Sequence, residues 1–86
     1  MMKYKIDIAP LADYYVVVAR DKNTDELIET FTLNESGVDM MKLFIEEKDN
    51  MTIAKEIAEM YDAPLEIVTK DVNSLEEILR KKGFIQ

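Results

Sequence analysis

The sequence predicts an α+β fold: an N-terminal three-stranded antiparallel sheet followed by three helices, winged-helix-like in its order. Three observations predict it. Runs of β-like patterning occupy the chain up to Leu33. At Asn34-Glu35-Ser36-Gly37 the apolar spacing switches from alternation to the helical period. The remainder is helical in pattern and is punctuated by Thr52, Pro64 and Gly83.

Tyr4-Lys5-Ile6-Asp7-Ile8 alternates polar and apolar side chains, as a half-buried strand does. Pro10 either stops this strand or keeps it at an edge, because proline has no N–H for a ladder. Tyr14-Tyr15-Val16-Val17-Val18-Ala19 is aromatic and β-branched, which suits a strand covered at least in part on both faces. Asp21 to Asp25 is polar turn material. In the run Leu27 to Leu33, Leu27, Glu29, Phe31 and Leu33 share one face, and Ile28, Thr30 and Thr32 the other. The second and third runs form a hairpin.

The first helix is predicted from Ser36 to Lys48, capped by Asn34 or Ser36. Its apolar residues Val38, Met40, Met41, Leu43, Phe44 and Ile45 cover more than half of a helical wheel, so it is buried on more than one side. The second runs from Thr52, a good cap, to Tyr61, with Ile53, Ala54, Ile57, Ala58, Met60 and Tyr61 on one face. The third runs from Pro64 to Lys82, with Asp62 as the available cap and Gly83 as the stop. Phe84 and Ile85 then fold back on the core.

The third helix carries two apolar lines. Leu65, Val68, Val72, Leu75 and Leu79 form the core stripe. Ile67 and Ile78 fall to one side of it, with Asp71, Ser74 and Lys82 on the same flank. Taken on this helix alone, Ile67 and Ile78 either widen the core stripe or line a groove, and the first reading has the edge.

Composition narrows the function. A single domain of 86 residues has little volume for a deep catalytic cleft, so a groove or a sheet edge is the natural site. With no cysteine and no histidine there are no disulfides, thiolate nucleophiles, imidazole bases or Cys/His zinc sites. No clustered carboxylate spacing points to another metal, and no cofactor is expected. The paired acids Glu46/Glu47 and Glu76/Glu77 point about 100° apart on a helix and do not converge on a substrate atom. They read as solvated faces with partners such as Glu76–Arg80 and Glu77–Lys81. The expected protein is therefore not an enzyme. Lack of cysteine, of a signal-type start and of any membrane-length apolar run fits a cytoplasmic protein with no membrane partner.

The net charge of −7 lies entirely before the last helix: residues 63–86 hold Glu66, Asp71, Glu76 and Glu77 against Lys70, Arg80, Lys81 and Lys82. A polyanion is repelled by most of such a surface. The alternative reading, a winged-helix nucleic-acid-binding domain, has the helix order in its favour. A sequence pI near 4.5 and a neutral last helix stand against it.

From Tyr14 onward the chain resembles the PqqD-like family, the recognition elements for ribosomally made, post-translationally modified precursor peptides. The resemblance rests on an aromatic residue before Leu33-Asn34-Glu35-Ser36-Gly37, a first helix of large apolar residues, Ile53-Ala54-x-x-Ile57, Tyr61-Asp62, Asp71-Val72, and Leu79 ahead of Gly83-Phe84-Ile85. It covers about 70 of the 86 residues, and its strength is in order and spacing rather than in any one motif. Met41 stands where members commonly carry Trp, which is a packing difference.

The resemblance implies a non-catalytic domain that binds the leader segment of a precursor peptide and presents it to a modifying enzyme, often a radical SAM enzyme. The leader would add as a strand beside the third run, at Ile28, Glu29, Thr30, Phe31 and Thr32. It would lie against Ile67, Asp71, Ser74, Ile78 and Lys82 of the third helix; read from charge alone, the Lys81/Lys82 end suits acidic leader residues. An exposed strand edge supports the same reading physically, since its unpaired N–H and C=O groups are in register for a peptide. The same edge also suits a homodimer.

Overall fold

A computed structural model of the chain describes residues 3–85. Strands β1 (Lys5–Leu11), β2 (Tyr14–Arg20) and β3 (Leu27–Leu33) form one sheet in the order β1-β2-β3. Both pairings are antiparallel, with Ile8 opposite Val17 and Val17 opposite Phe31. The sheet centre is thus the β-branched run, and β1 and β3 are both edges. Of the two expectations for Pro10, the edge position holds and the stop does not: Pro10 lies within β1, opposite Tyr15, on an edge strand. An edge strand tolerates this, because a proline there forfeits no bond that the ladder requires.

The three helices follow in chain order: α1 (Glu35–Ile45), α2 (Asn50–Tyr61) and α3 (Leu65–Lys81). They cover one face of the sheet. On that face Val17 and Ala19 are buried, with Ile6, Ile8, Phe31 and Leu33 packed around them. On the other face Val16 and Val18 are half-buried and Ile28, Thr30 and Thr32 are exposed. β2 is therefore covered fully on one face and in part on the other, as its composition predicts: the helices cover Val17 and Ala19, while Val16 and Val18 are only half-buried.

Helix ends account for the boundaries that the apolar pattern misplaces. The Gly37 N–H donates to Asn34 Oδ1 at 2.8 Å, so α1 starts at once after β3 with no linker. α1 stops at Ile45 rather than Lys48 because Glu47 takes a left-handed φ of 65° and the Lys48 N–H returns to the Leu43 carbonyl. α2 starts two residues before Thr52. Asp49 is its cap and accepts the Thr52 N–H at 2.8 Å, so Thr52 is an inner residue of the first turn. Asp62 ends α2 in the left-handed region (φ 50°) instead of capping α3, whose N-cap Pro64 makes no side-chain capping bond. α3 ends as the sequence predicts. Gly83 has φ 77°, its N–H donates to the Arg80 carbonyl, and the Phe84 N–H donates to the Leu79 carbonyl. This is the Schellman arrangement, and it turns Phe84 into the core.

Met41, Ile53, Ile57, Val72, Leu79 and Phe84 form the centre of that core. Met41 is fully buried, as its large-residue position in α1 requires. Four residues of the predicted apolar faces are exposed instead, among them Ile45 at the end of α1 and Tyr61 at the end of α2. Leu65 is 47% exposed at the first turn of α3, and Met60 is 59% exposed near the end of α2.

Candidate functional site

Among the described residues β2 is the one strand paired with β3, which leaves the other side of β3 as an open edge. In an antiparallel pair alternate residues turn their N–H and C=O away from the partner, so β3 presents a row of free main-chain donors and acceptors. The other edge, β1, carries Pro10 and is a poorer template. Along β3, Ile28, Thr30 and Thr32 point to the open face, while Glu29 and Phe31 point toward the helices and are half-buried.

The second wall is one flank of α3. Ile67 is 57% exposed and Ile78 44% exposed, with Asp71 and Ser74 also exposed on the same side. The reading that Ile67 and Ile78 widen the core stripe is thereby overturned. The core stripe is complete without them, through Val68, Val72, Leu75 and Leu79. Both isoleucines are therefore left on the surface, and Ile78 shares a cleft with Leu33 at the end of β3.

Between these walls lies a cleft of about 270 Å³ lined by Leu33, Asn34, Ser36, Gly37, Met40, Asp71, Ser74, Leu75 and Ile78. Leu33, Met40, Leu75 and Ile78 give it an apolar lining, beside the polar Asn34, Ser36, Asp71 and Ser74. A larger cavity, about 330 Å³, lies on the opposite flank of α3 and is lined by Met51, Ala54, Leu65 and Thr69 among others. That cavity touches no strand. The smaller cleft is the candidate because it meets both the end of β3, at Leu33, and the exposed flank of α3.

The ten residues expected at the site separate into groups. Ile28 to Thr32 are the strand edge. Asp71, Ser74 and Ile78 are cleft wall. Ile67 continues the α3 flank one turn before Asp71, outside the cleft lining. Lys82 closes the other end. Its Nζ lies 2.5 Å from Glu29 Oε1 and 5.4 Å from the centre of the Phe31 ring.

The sequence reasoning missed the third wall, where Ser36, Gly37 and Met40 of α1 meet Leu33. The signal was present in the wide apolar stripe of α1, which required more than one buried side. Gly37 allows the close approach: a Cβ there would lie 3.0 Å from Asn34 Oδ1 and 3.2 Å from Leu33 Cβ.

Among the described residues no group of three acidic side chains is placed to hold a metal ion. Tyr61 donates a hydrogen bond to Asp39, which with partial burial pushes its phenol up to about 12. A phenol held so firmly in its protonated form is a structural tie between α2 and α1 rather than a base. The exposed side of α3 mixes Glu66, Lys70, Glu77 and Lys81 and carries no excess of positive charge. No helix among the described residues is long and apolar enough to cross a membrane.

Comparison with known proteins places this geometry. No curated protein sequence matches the chain. A solved structure described as TbiB1 in complex with the TbiA(beta) leader peptide matches with a TM-score of 0.69 at 22% identity, covering 99% of this chain and 95% of that one. At that identity the likeness is one of fold. Residues 15–85 match the family described as Coenzyme PQQ synthesis protein D (PqqD). That segment takes in β3, all three helices, the cleft walls and the returning Phe84, and the chain belongs to the PqqD family.

Proposed function

We propose that this protein binds the leader segment of a ribosomally made precursor peptide and presents it to a modifying enzyme, a radical SAM enzyme or one of similar role. It performs no reaction itself. The observation that carries the reading is the pairing of an unpaired, proline-free β3 edge with an α3 flank whose isoleucines the core does not use. Membership of the PqqD family supports it. So does the fold shared with TbiB1, a protein whose structure holds a leader peptide.

In this reading the leader adds as a fourth strand beside Ile28 to Thr32. Main-chain bonds supply much of the affinity and tolerate many leader sequences. Side chains on the inner face of the added strand meet Asp71, Ser74 and Ile78, with Ile67 and Lys82 at the two ends. One large apolar side chain fits the volume of the cleft, and its polar residues suit a group with a hydrogen-bond donor at its tip. The chain works in the cytoplasm, where ribosomal precursors are made, and its lack of cysteine fits that compartment.

The test is calorimetric titration of the full chain with a synthetic leader taken from the precursor gene that neighbours its own. One-to-one binding, lost in Thr30→Pro and retained in Leu11→Pro on the other edge, supports strand addition at β3. Equal loss in both variants, or binding untouched by either, contradicts it. A chain that dimerises through β3 would show concentration-dependent mass, with the leader competing for the edge.

A further inference from the structure

Glu29 precedes Phe31 and Leu33 on the face of β3 turned toward the helices. An acid in that position is costly to desolvate unless it is paired. Its partner is Lys82, which follows the last turn of α3 and lies 53 positions away in sequence. The two side chains are about two-thirds buried, with 30% and 34% exposure. Lys82 also lies over the Phe31 ring, which favours the charged ammonium. Glu29 occupies one of the three N–H donors that an ammonium carries.

We propose, resting on the leader-binding reading, that the Glu29–Lys82 pair selects acidic strand-forming peptides. The added strand places an Asp or Glu side chain opposite Glu29, and Lys82 bridges the two carboxylates. Residues directly opposite on neighbouring strands hold their Cβ atoms about 4.5–5.5 Å apart, so such a side chain comes within reach of the same ammonium. Two carboxylates there would repel one another without it. A basic peptide residue would instead meet Lys82 as a like charge and compete with it for Glu29. Lys81, next to Lys82 and exposed, adds to the positive end of this cleft.

The rest of the surface disfavours acidic peptides, because the chain carries a net charge of −7. The preference is therefore confined to one end of the edge. That confinement fixes where along β3 the peptide must start, so one pair sets both composition and register.

The test is selection from a displayed library of random peptides against three immobilised full-length proteins: wild type, Lys82→Met, and the charge-swapped double variant Glu29→Lys/Lys82→Glu. Lys82→Met keeps an apolar stem over Phe31, and thermal unfolding of each protein verifies that it is folded. Wild type is expected to enrich Asp or Glu at one position of the peptide by roughly two- to fivefold, the range of a partly exposed ion pair. The double variant should enrich Lys or Arg at that same position, and Lys82→Met, which leaves the Glu29 carboxylate alone there, should lose the acidic preference and disfavour Asp and Glu. The same preference in all three proteins, or a basic preference in wild type, overturns the proposal while leaving leader binding intact. Failure of every protein to enrich any peptide over uncoated support overturns both.

Discussion

Phe31 of β3 and Phe84 of the C-terminal tail hold their rings 5.5 Å apart, tilted by 52°. Phe84 meets Tyr4 edge-on at 5.3 Å and is fully buried. The free edge strand is therefore fixed by the residue that follows the last helical turn. The position of β3 thus depends on how α3 ends, far from that strand in sequence.

It follows that Phe84→Ala should cost about 3–5 kcal/mol, the range for removing a large buried aromatic side chain. In a domain of this size that is a large share of the total. Gly83→Ala should cost about 1 kcal/mol or more, because its φ of 77° is strained for any residue with a Cβ. Urea unfolding is the measurement, with a lower midpoint and an unchanged slope as the expected result.

At the other end of the cleft, Asn34→Ala removes the acceptor of the Gly37 N–H. A loss of about 1 kcal/mol is expected, with Asn34→Asp close to wild type. A further readout separates capping from mere surface change: amide exchange at Gly37 should quicken in Asn34→Ala and not in Asn34→Asp.

The fold was legible because period-two and helical patterning meet at Asn34 without an intervening loop. β3 is bounded as the pattern predicts, since Leu27 and Leu33 close a clear alternation. Helix ends were less legible. Glu47 and Asp62 adopt left-handed backbone without glycine, and neither composition nor spacing marks such positions. The α3 flank of the site was visible as a second apolar line, but a wheel cannot say whether Ile67 and Ile78 are covered. The contribution of Ser36, Gly37 and Met40 depended on how closely α1 approaches β3, which is a tertiary fact. The Lys82–Glu29 contact likewise joins two elements that local periodicity treats separately.

Stability should fall on both sides of neutrality. In acid, Asp49 is held below its ordinary 3.8 by the Thr52 N–H, and Asp21 by the N–H groups of Thr24 and Asn23. A lowered folded value means stabilisation that is present above the unfolded value and lost as pH falls through the folded one. In alkali the signs reverse. Lys48 is raised above 10.5 by its bond to Glu56, and Tyr61 is raised from 10.0 to about 12 by Asp39. Their contributions are complete below those ordinary values and are lost as pH rises through the folded ones. Thermal midpoints should therefore be flat from roughly pH 5 to 9. Asp49→Asn should weaken the acid decline, and Tyr61→Phe the alkaline one.

Ile78→Glu should weaken leader binding about tenfold or more, by setting an unpaired charge against an apolar contact. Because Ile78 is 44% exposed and outside the core stripe, the fold should be nearly unchanged. Leu79→Glu, one position on and fully buried, should unfold the protein instead. Circular dichroism of both variants beside their leader affinities makes the comparison.

The central claim is that a peptide pairs with β3 against one flank of α3. Backbone amide shifts of the full chain, followed by NMR during titration with its leader peptide, test it most directly. The account predicts the largest shifts at Ile28 to Thr32, with further changes at Asp71, Ser74, Ile78 and Lys82. Alternate amides of β3 should also become protected from exchange as their hydrogen bonds form. Shifts confined to α1 and α2, with Ile28 to Thr32 unmoved, would contradict it.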